Sequence, residues 1–475
     1  MFGFHLFLVF GGCTPGDSDT GESVGGGSLW IPPMLTGTTF DLTLGEATKQ
    51  LNDGDATPTY GYNGADFWGP TLRMNKGDIV TLNVTNDLMM DDTTAHWHGF
   101  HIPAASDGGP HQVIAPGATW SPSFEVMNRA ATYWYHPHLH MMTMEQLVKG
   151  AGGFIIVDDD EEAALPLPRT YGVDDIPLML TSRRFDSDNA FDMEGAYGDY
   201  LLANGTRDAT VELPAQVVRL RILNAEVERN YNLGFADSRT FYVIATDGGL
   251  VNAPIPVTRL PMSVGERYEI LVDLSGDEAG STVALQSFNG GQTFGFPGGE
   301  PGTTGEFGSL LNDTTFDVLG VTVGAATDGA VMAVPASLAN SVYWTASDAT
   351  VNRTIAITDE GPGTPFTFDN ATYDEQVINQ TVNLGDTERW TIQNNRTFGH
   401  SFHVHDVQFN IVARSSTPIG DYERGWKDTV FVPLGESVSF VARFDDFASD
   451  TDPYMYHCHM SNHEDGGLMG QFLVK

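Results

Sequence analysis

The chain has 475 residues, 41% of them hydrophobic and 18% charged, with 53 glycines and 25 prolines. At about 150 residues per domain it holds about three domains, and the mixture excludes a disordered chain, a coiled coil and a collagen-like rod. Twenty-three Lys and Arg against 62 Asp and Glu leave a net charge of −39, a field that repels phosphate backbones and excludes nucleic acid as a partner. The acidic surface suits a salty or extracellular medium.

Residues 2–10 form an apolar stretch interrupted only by His5, Gly11-Gly12-Cys13 follows, and a Gly/Ser/Asp/Thr-rich run extends to Ser28. Residues 1–28 therefore read as an export leader and flexible linker. Two forms stay open: a lipoprotein signal with Cys13 as the lipid-bearing residue, or a plain secretory signal cleaved nearby. The protein is expected to be exported, as a periplasmic or cell-surface lipoprotein or in secreted form. No other apolar stretch reaches the roughly 18 residues of a membrane span.

Beyond the leader one design repeats three times. Val80-Thr81-Leu82-Asn83-Val84-Thr85-Asn86, Val218-Arg219-Leu220-Arg221-Ile222-Leu223-Asn224 and Trp390-Thr391-Ile392-Gln393-Asn394 alternate apolar and polar residues and end at Asn, the period of half-buried strands. Each is followed by a Gly-containing turn and a second strand around Phe124, Tyr268 or Phe440. Tyr133-Trp134-Tyr135-His136-Pro137-His138 in the first unit mirrors Tyr454-Met455-Tyr456-His457-Cys458-His459 in the last. Repeats of this length built from short strands predict an all-β chain of three tandem sandwiches, over 29–165, 166–335 and 336–475. The acidic stretch from Asp158 to Glu162, with Pro166 and Pro168, reads as the first linker. The middle unit has no histidine and reads as a spacer.

Ten of the 14 histidines fall into four clusters: His96-Trp97-His98, His136-Pro137-His138, His400-Ser401-Phe402-His403-Val404-His405, and His457-Cys458-His459 with His463. On a strand, residues i and i+2 face one way, so each His-x-His aims two imidazoles at one place. In His457-Cys458-His459 the thiolate faces the opposite side, and one strand can touch two metal centres. Cys458 with two histidines is the trigonal set of blue copper, and the other eight histidines can hold three more coppers.

These motifs resemble those of the multicopper oxidases, which include laccases, bacterial cuprous oxidases and bilirubin oxidases. The resemblance runs from about Trp30 to the C-terminus, takes in Gly69-Pro70-Thr71-Leu72 and Gly425-Trp426-Lys427-Asp428, and is greatest to the three-domain bacterial branch. It implies cupredoxin-like Greek-key sandwiches and four coppers. The type 1 copper would take His400, Cys458 and His463. The type 2 copper would take His96 and His403, and the type 3 pair His98, His136, His138, His405, His457 and His459. Where bacterial members carry an axial Met, this chain has Leu468, with Met469 next. Leucine cannot coordinate, which implies a three-coordinate type 1 copper of raised potential; a one-residue shift bringing in Met469 is the alternative.

Reduction of O2 to water needs protons, and Glu464 and Asp107 match positions where the family places acids that relay protons or orient bound water. The resemblance implies O2 and a small reducing substrate as partners: a phenol or aromatic amine, or Cu(I) if the chain is a cuprous oxidase. A monomer is expected. From a different class, a non-catalytic periplasmic copper-binding or scaffold protein is the rival. His140 extends the His136, His138 series but is read as a packing or supporting residue. Met89, Met90, Met141, Met142 and Met144 are read as packing residues rather than a cuprous path.

Overall fold

The computed structural model describes residues 26–305, 307–359, 364–396 and 398–475; the leader, including Cys13, lies outside them. Strands make up 43% of the described residues and helices 5%. Six sheets pack as three cupredoxin-like sandwiches, with strands drawn from Met34–Asp158, Asp175–Gly324 and Val351–Val474. Each sandwich closes over its own apolar core, centred on Leu42, Leu82 and Tyr133, on Leu220, Ile222 and Ile270, and on Trp390, Phe402 and Phe440.

The three repeated strands do the same job in each sandwich. Ile79–Asn86, Val217–Asn224 and Thr387–Asn394 each pair in parallel with an earlier strand. Each pairs antiparallel with the strand that follows the Gly turn. The terminal asparagines explain their own recurrence. Asn86, Asn224 and Asn394 are buried, and each side chain accepts from the amide two residues on and donates to two carbonyls across the turn. Each satisfies a buried turn that would otherwise leave backbone groups unpaired.

One sequence expectation changes. Val217–Asn224 alternates apolar and polar residues yet is buried on both faces. On its polar face Arg219 and Arg221 pair with Glu269, Glu162 and Asp175, and Thr132 of the first sandwich bonds both Arg221 and Glu269. The acidic stretch runs between the first and second sandwiches and is folded: Asp159 caps the short helix Asp160–Ala163, and Glu162 is buried against Arg219. Residues 325–350 contain no strand, and Leu338 and Ala339 in this connection pack on the middle sandwich. Among the described residues no helix is long and apolar enough to cross a membrane.

Candidate metal centre

Strand Tyr454–Cys458 organises the site. It pairs with His400–Val404, placing His457 opposite His403 and Cys458 opposite Phe402. Alternation sends the Cys458 thiol into the core of the third sandwich. His400 and His463, the latter on the short helix Ser461–Asp465, turn their Nδ1 atoms to 3.6 Å from Cys458 Sγ. Phe366 stands edge-on to both imidazoles, at ring separations of 4.6 and 4.7 Å. Leu468 is fully buried in the same apolar cluster as Cys458. Met469 lies opposite His457 in register and packs in a separate cluster with Tyr373 and Met455.

On the other face, the first and third sandwiches contribute four histidines each. His98 Nδ1 lies 3.4 Å from His136 Nε2 and 3.1 Å from His459 Nε2. His138 and His457 approach to 3.2 Å through their Nε2 atoms, with His405 completing a trio. His96 and His403 converge with His98. All eight are at most 2% exposed.

Most of their outward nitrogens are tied. The Nδ1–H groups of His96, His136, His403 and His457 donate to the carbonyls of Asp107, Pro137, Asp428 and Cys458 at 2.8 to 3.0 Å. The inward Nε2 atoms of His96, His403 and His405 are buried without a hydrogen-bond partner. Burial, and then the neighbouring imidazoles, hold His98, His136, His138, His403 and His459 well below the ordinary histidine range. Neutral imidazoles with unpartnered lone pairs aimed at one another fit bound metal cations, which supply the missing partner. Neutral nitrogen donors and one thiol suit copper.

Glu464 bridges two of the histidines: its carboxylate oxygens lie 3.2 Å from His138 Nδ1 and 3.2 Å from His457 Nδ1, and Thr143 donates to it at 2.8 Å. Asp107 accepts from His405 Nδ1 at 2.6 Å and approaches His96 at 3.4 Å. Burial alone would raise the Asp107 carboxyl, but His405 and His96 hold it well below the usual carboxylate range. Asp465, beside Glu464, is pushed up to about 7 by burial and by Glu464.

The histidine-free middle sandwich is more than a spacer. Its Glu228 lies 3.3 Å from His463 Nε2, Val264 accepts from Ser401 Oγ at 2.5 Å, and Arg267 clasps Asp428. Lys427 is buried between Asp247 and Glu266 of the same sandwich. At Gly265, φ is +84° and a Cβ would stand 2.8 Å from His459 Cγ, so only glycine fits there. The remaining described histidines stand apart from these clusters. His140 packs against Tyr373, His111 bonds Gln471, and His101 spans from the first sandwich to Asp406 and Asp446 of the third.

Multicopper oxidase family models match residues 43–162, 188–289 and 343–475. Multicopper oxidase mco of Staphylococcus haemolyticus is 30% identical over 92% of this chain and 88% of its own. Cell division protein FtsP of Edwardsiella tarda is 33% identical over 94% and 92%. Among solved structures, the laccase-like multi-copper oxidase CueO of Ochrobactrum sp. is 32% identical with a TM-score of 0.83, covering 94% of this chain and 100% of that one. McoA of Aquifex aeolicus is 28% identical with a TM-score of 0.85, covering 95% and 100%. Fold, clustered donors and matched length agree: the chain belongs to the multicopper oxidase family.

Proposed function

We propose that the protein is an exported, monomeric, laccase-type oxidase. It couples four one-electron oxidations of a small phenol or aromatic amine to the reduction of O2, with four protons, to two waters. The observation that carries this is the split of donors at residues 457–459, which puts a thiol in one cluster and its flanking imidazoles in another. His400, Cys458 and His463 would hold the type 1 copper, beside a Leu468 side chain that packs in the same cluster and has no donor atom to offer. His96 and His403 would hold type 2. One type 3 ion would take His98, His136 and His459, and the other His138, His405 and His457. Bound copper supplies the one-electron exchange and the reduction of O2.

The chain's own groups do the rest. Electrons leave Cys458 through its covalent bonds to His457 and His459, shortened by the 3.0 Å hydrogen bond from His457 Nδ1 to the Cys458 carbonyl. Glu464, within reach of two histidines and Thr143, passes protons inward. Asp107 stays ionised and fixes the orientation of His405. In this proposal the unit boundaries stay at 165/166 and 335/336, and export follows from the leader, with or without lipid on Cys13.

An aromatic surface favours an organic donor over Cu(I). Phe398 stands 5.8 Å from the His463 ring and 5.8 Å from Phe307, which is 43% exposed. The exposed thioethers of Met89, Met90 and Met141 belong to the first sandwich. The likeness to FtsP favours a second reading, a non-catalytic envelope scaffold; the complete donor set speaks against it. Copper-loaded protein should carry four coppers, absorb in the blue-copper band and take up O2 with an aromatic amine. Blue colour without O2 uptake on any donor overturns the oxidase in favour of the scaffold, and uptake with Cu(I) alone makes it a cuprous oxidase.

A further inference from the structure

Among the eight deep histidines, His98 is reversed. The outward nitrogen of His96, His136, His403, His405 and His457 is Nδ1, whereas His98 turns Nε2 outward, 3.2 Å from Asp428 Oδ1, and Nδ1 inward. A neutral imidazole can donate from one nitrogen only, and the partner of the outer one decides which.

That partner is locked from outside its own sandwich. Arg267 of the middle sandwich binds both oxygens of Asp428 at 2.6 Å through Nη1 and Nη2. Its other N–H groups donate to the carbonyls of Thr132, Gly265 and Asp247 at 2.8 to 3.1 Å. All five guanidinium donors are used, the side chain is fully buried, and the contacts reach all three sandwiches. Thr429 Oγ1 adds a further donor to Asp428 Oδ1 at 2.9 Å. With both oxygens accepting, Asp428 can offer His98 only an acceptor. Its backbone carbonyl meanwhile accepts from His403 Nδ1 at 2.8 Å.

We propose that Arg267 and Asp428 are positioning residues that hold His98 in its Nε2–H form, making Nδ1 its metal-facing nitrogen. The histidine-free middle sandwich thus sets the geometry of a centre to which it gives no ligand. The copper part of this inference rests on the four-copper proposal above; the tautomer does not.

Selective 15N labelling of histidine in the full-length, copper-free protein reads the tautomers directly. His98 should be protonated at Nε2, and His96, His136 and His403 at Nδ1. Asp428→Asn places an amide N–H within reach of the imidazole. It should shift His98 toward Nδ1–H and weaken copper at the His98, His136, His459 trio by about 10–100-fold, with the blue colour at Cys458 retained. Arg267→Lys keeps the charge but not the fork and should fall between. A parent His98 protonated at Nδ1, or an unchanged tautomer and copper affinity in Asp428→Asn, overturns the proposal. Should Asp428→Asn fail to fold, the parent tautomer and Arg267→Lys decide. Because the tautomer is read without copper or donor, failure of the oxidase proposal leaves this result standing.

Discussion

The Cys458 cluster and the eight-histidine centre occupy opposite faces of one strand and are held in different ways. The first draws His400, Cys458 and His463 from a single sandwich, packed among Phe366, Phe402 and Leu468. The second takes four histidines from each outer sandwich and its clamp from the middle one. One centre depends on the packing of a single core, the other on the docking of three. Substitutions should therefore separate them.

Cys458→Ser breaks the first centre alone and should have the largest effect. Serine is a poor ligand for this site, so blue absorption and turnover should vanish while the type 3 pair still loads. Retained colour would refute the assignment. Glu464→Gln touches only the second centre. It should slow O2 reduction by on the order of 10²-fold and leave anaerobic bleaching of the blue band at its parent rate, as stopped-flow on the two half-reactions would show.

Leu468→Met sharpens the comparison within the first centre. An axial thioether favours Cu(II), so the type 1 potential should fall and oxidation of high-potential phenols should slow severalfold. Met469→Leu should change little, since Met469 packs with Tyr373 and Met455. A large upward shift in potential from Met469→Leu, seen by redox titration, would mean that the axial residue is Met469.

The smallest effect concerns the seam between the outer sandwiches. Burial lowers His101, but Asp406 and Asp446 outweigh it and raise it to about 9. A raised imidazolium stabilises the fold fully below its unfolded value near 6.5, and that stability is lost as pH rises through about 9. Burial raises the Asp406 carboxyl and offsets part of the gain, leaving about 1–3 kcal/mol. Denaturant titration of His101→Gln should show the loss at about pH 6 and none above about pH 10. Equal losses at both ends would remove the ion pair from the account.

The clustered donors could be read from the sequence because metal ligation demands particular side chains at strand period: His-x-His declares itself whatever the fold. Leu468 was legible for the same reason, as a departure at a fixed spacing from Cys458. Glu228 and Arg267 were not, and Asp428 was marked only as the end of Gly425-Trp426-Lys427-Asp428, with nothing to name its role. Arg267 and Asp428 meet across 161 residues, and a carboxylate among 62 acidic residues carries no local mark. Arg219 and Arg221 sat in an alternating pattern that reads as a solvated face, and only the docking of a neighbouring sandwich buries them. His101 was visible as a spare histidine, but its partners lie more than 300 residues away.

The reach of those contacts orders the protein's maturation in time. His98 meets Asp428 across 330 residues and His459 across 361. During synthesis, a chain that has emerged only as far as the middle sandwich presents four deep histidines with no counterparts. Metal cannot complete the centre until His457 and His459 have emerged, and metal that binds then closes loops hundreds of residues long, as a late staple on the fold.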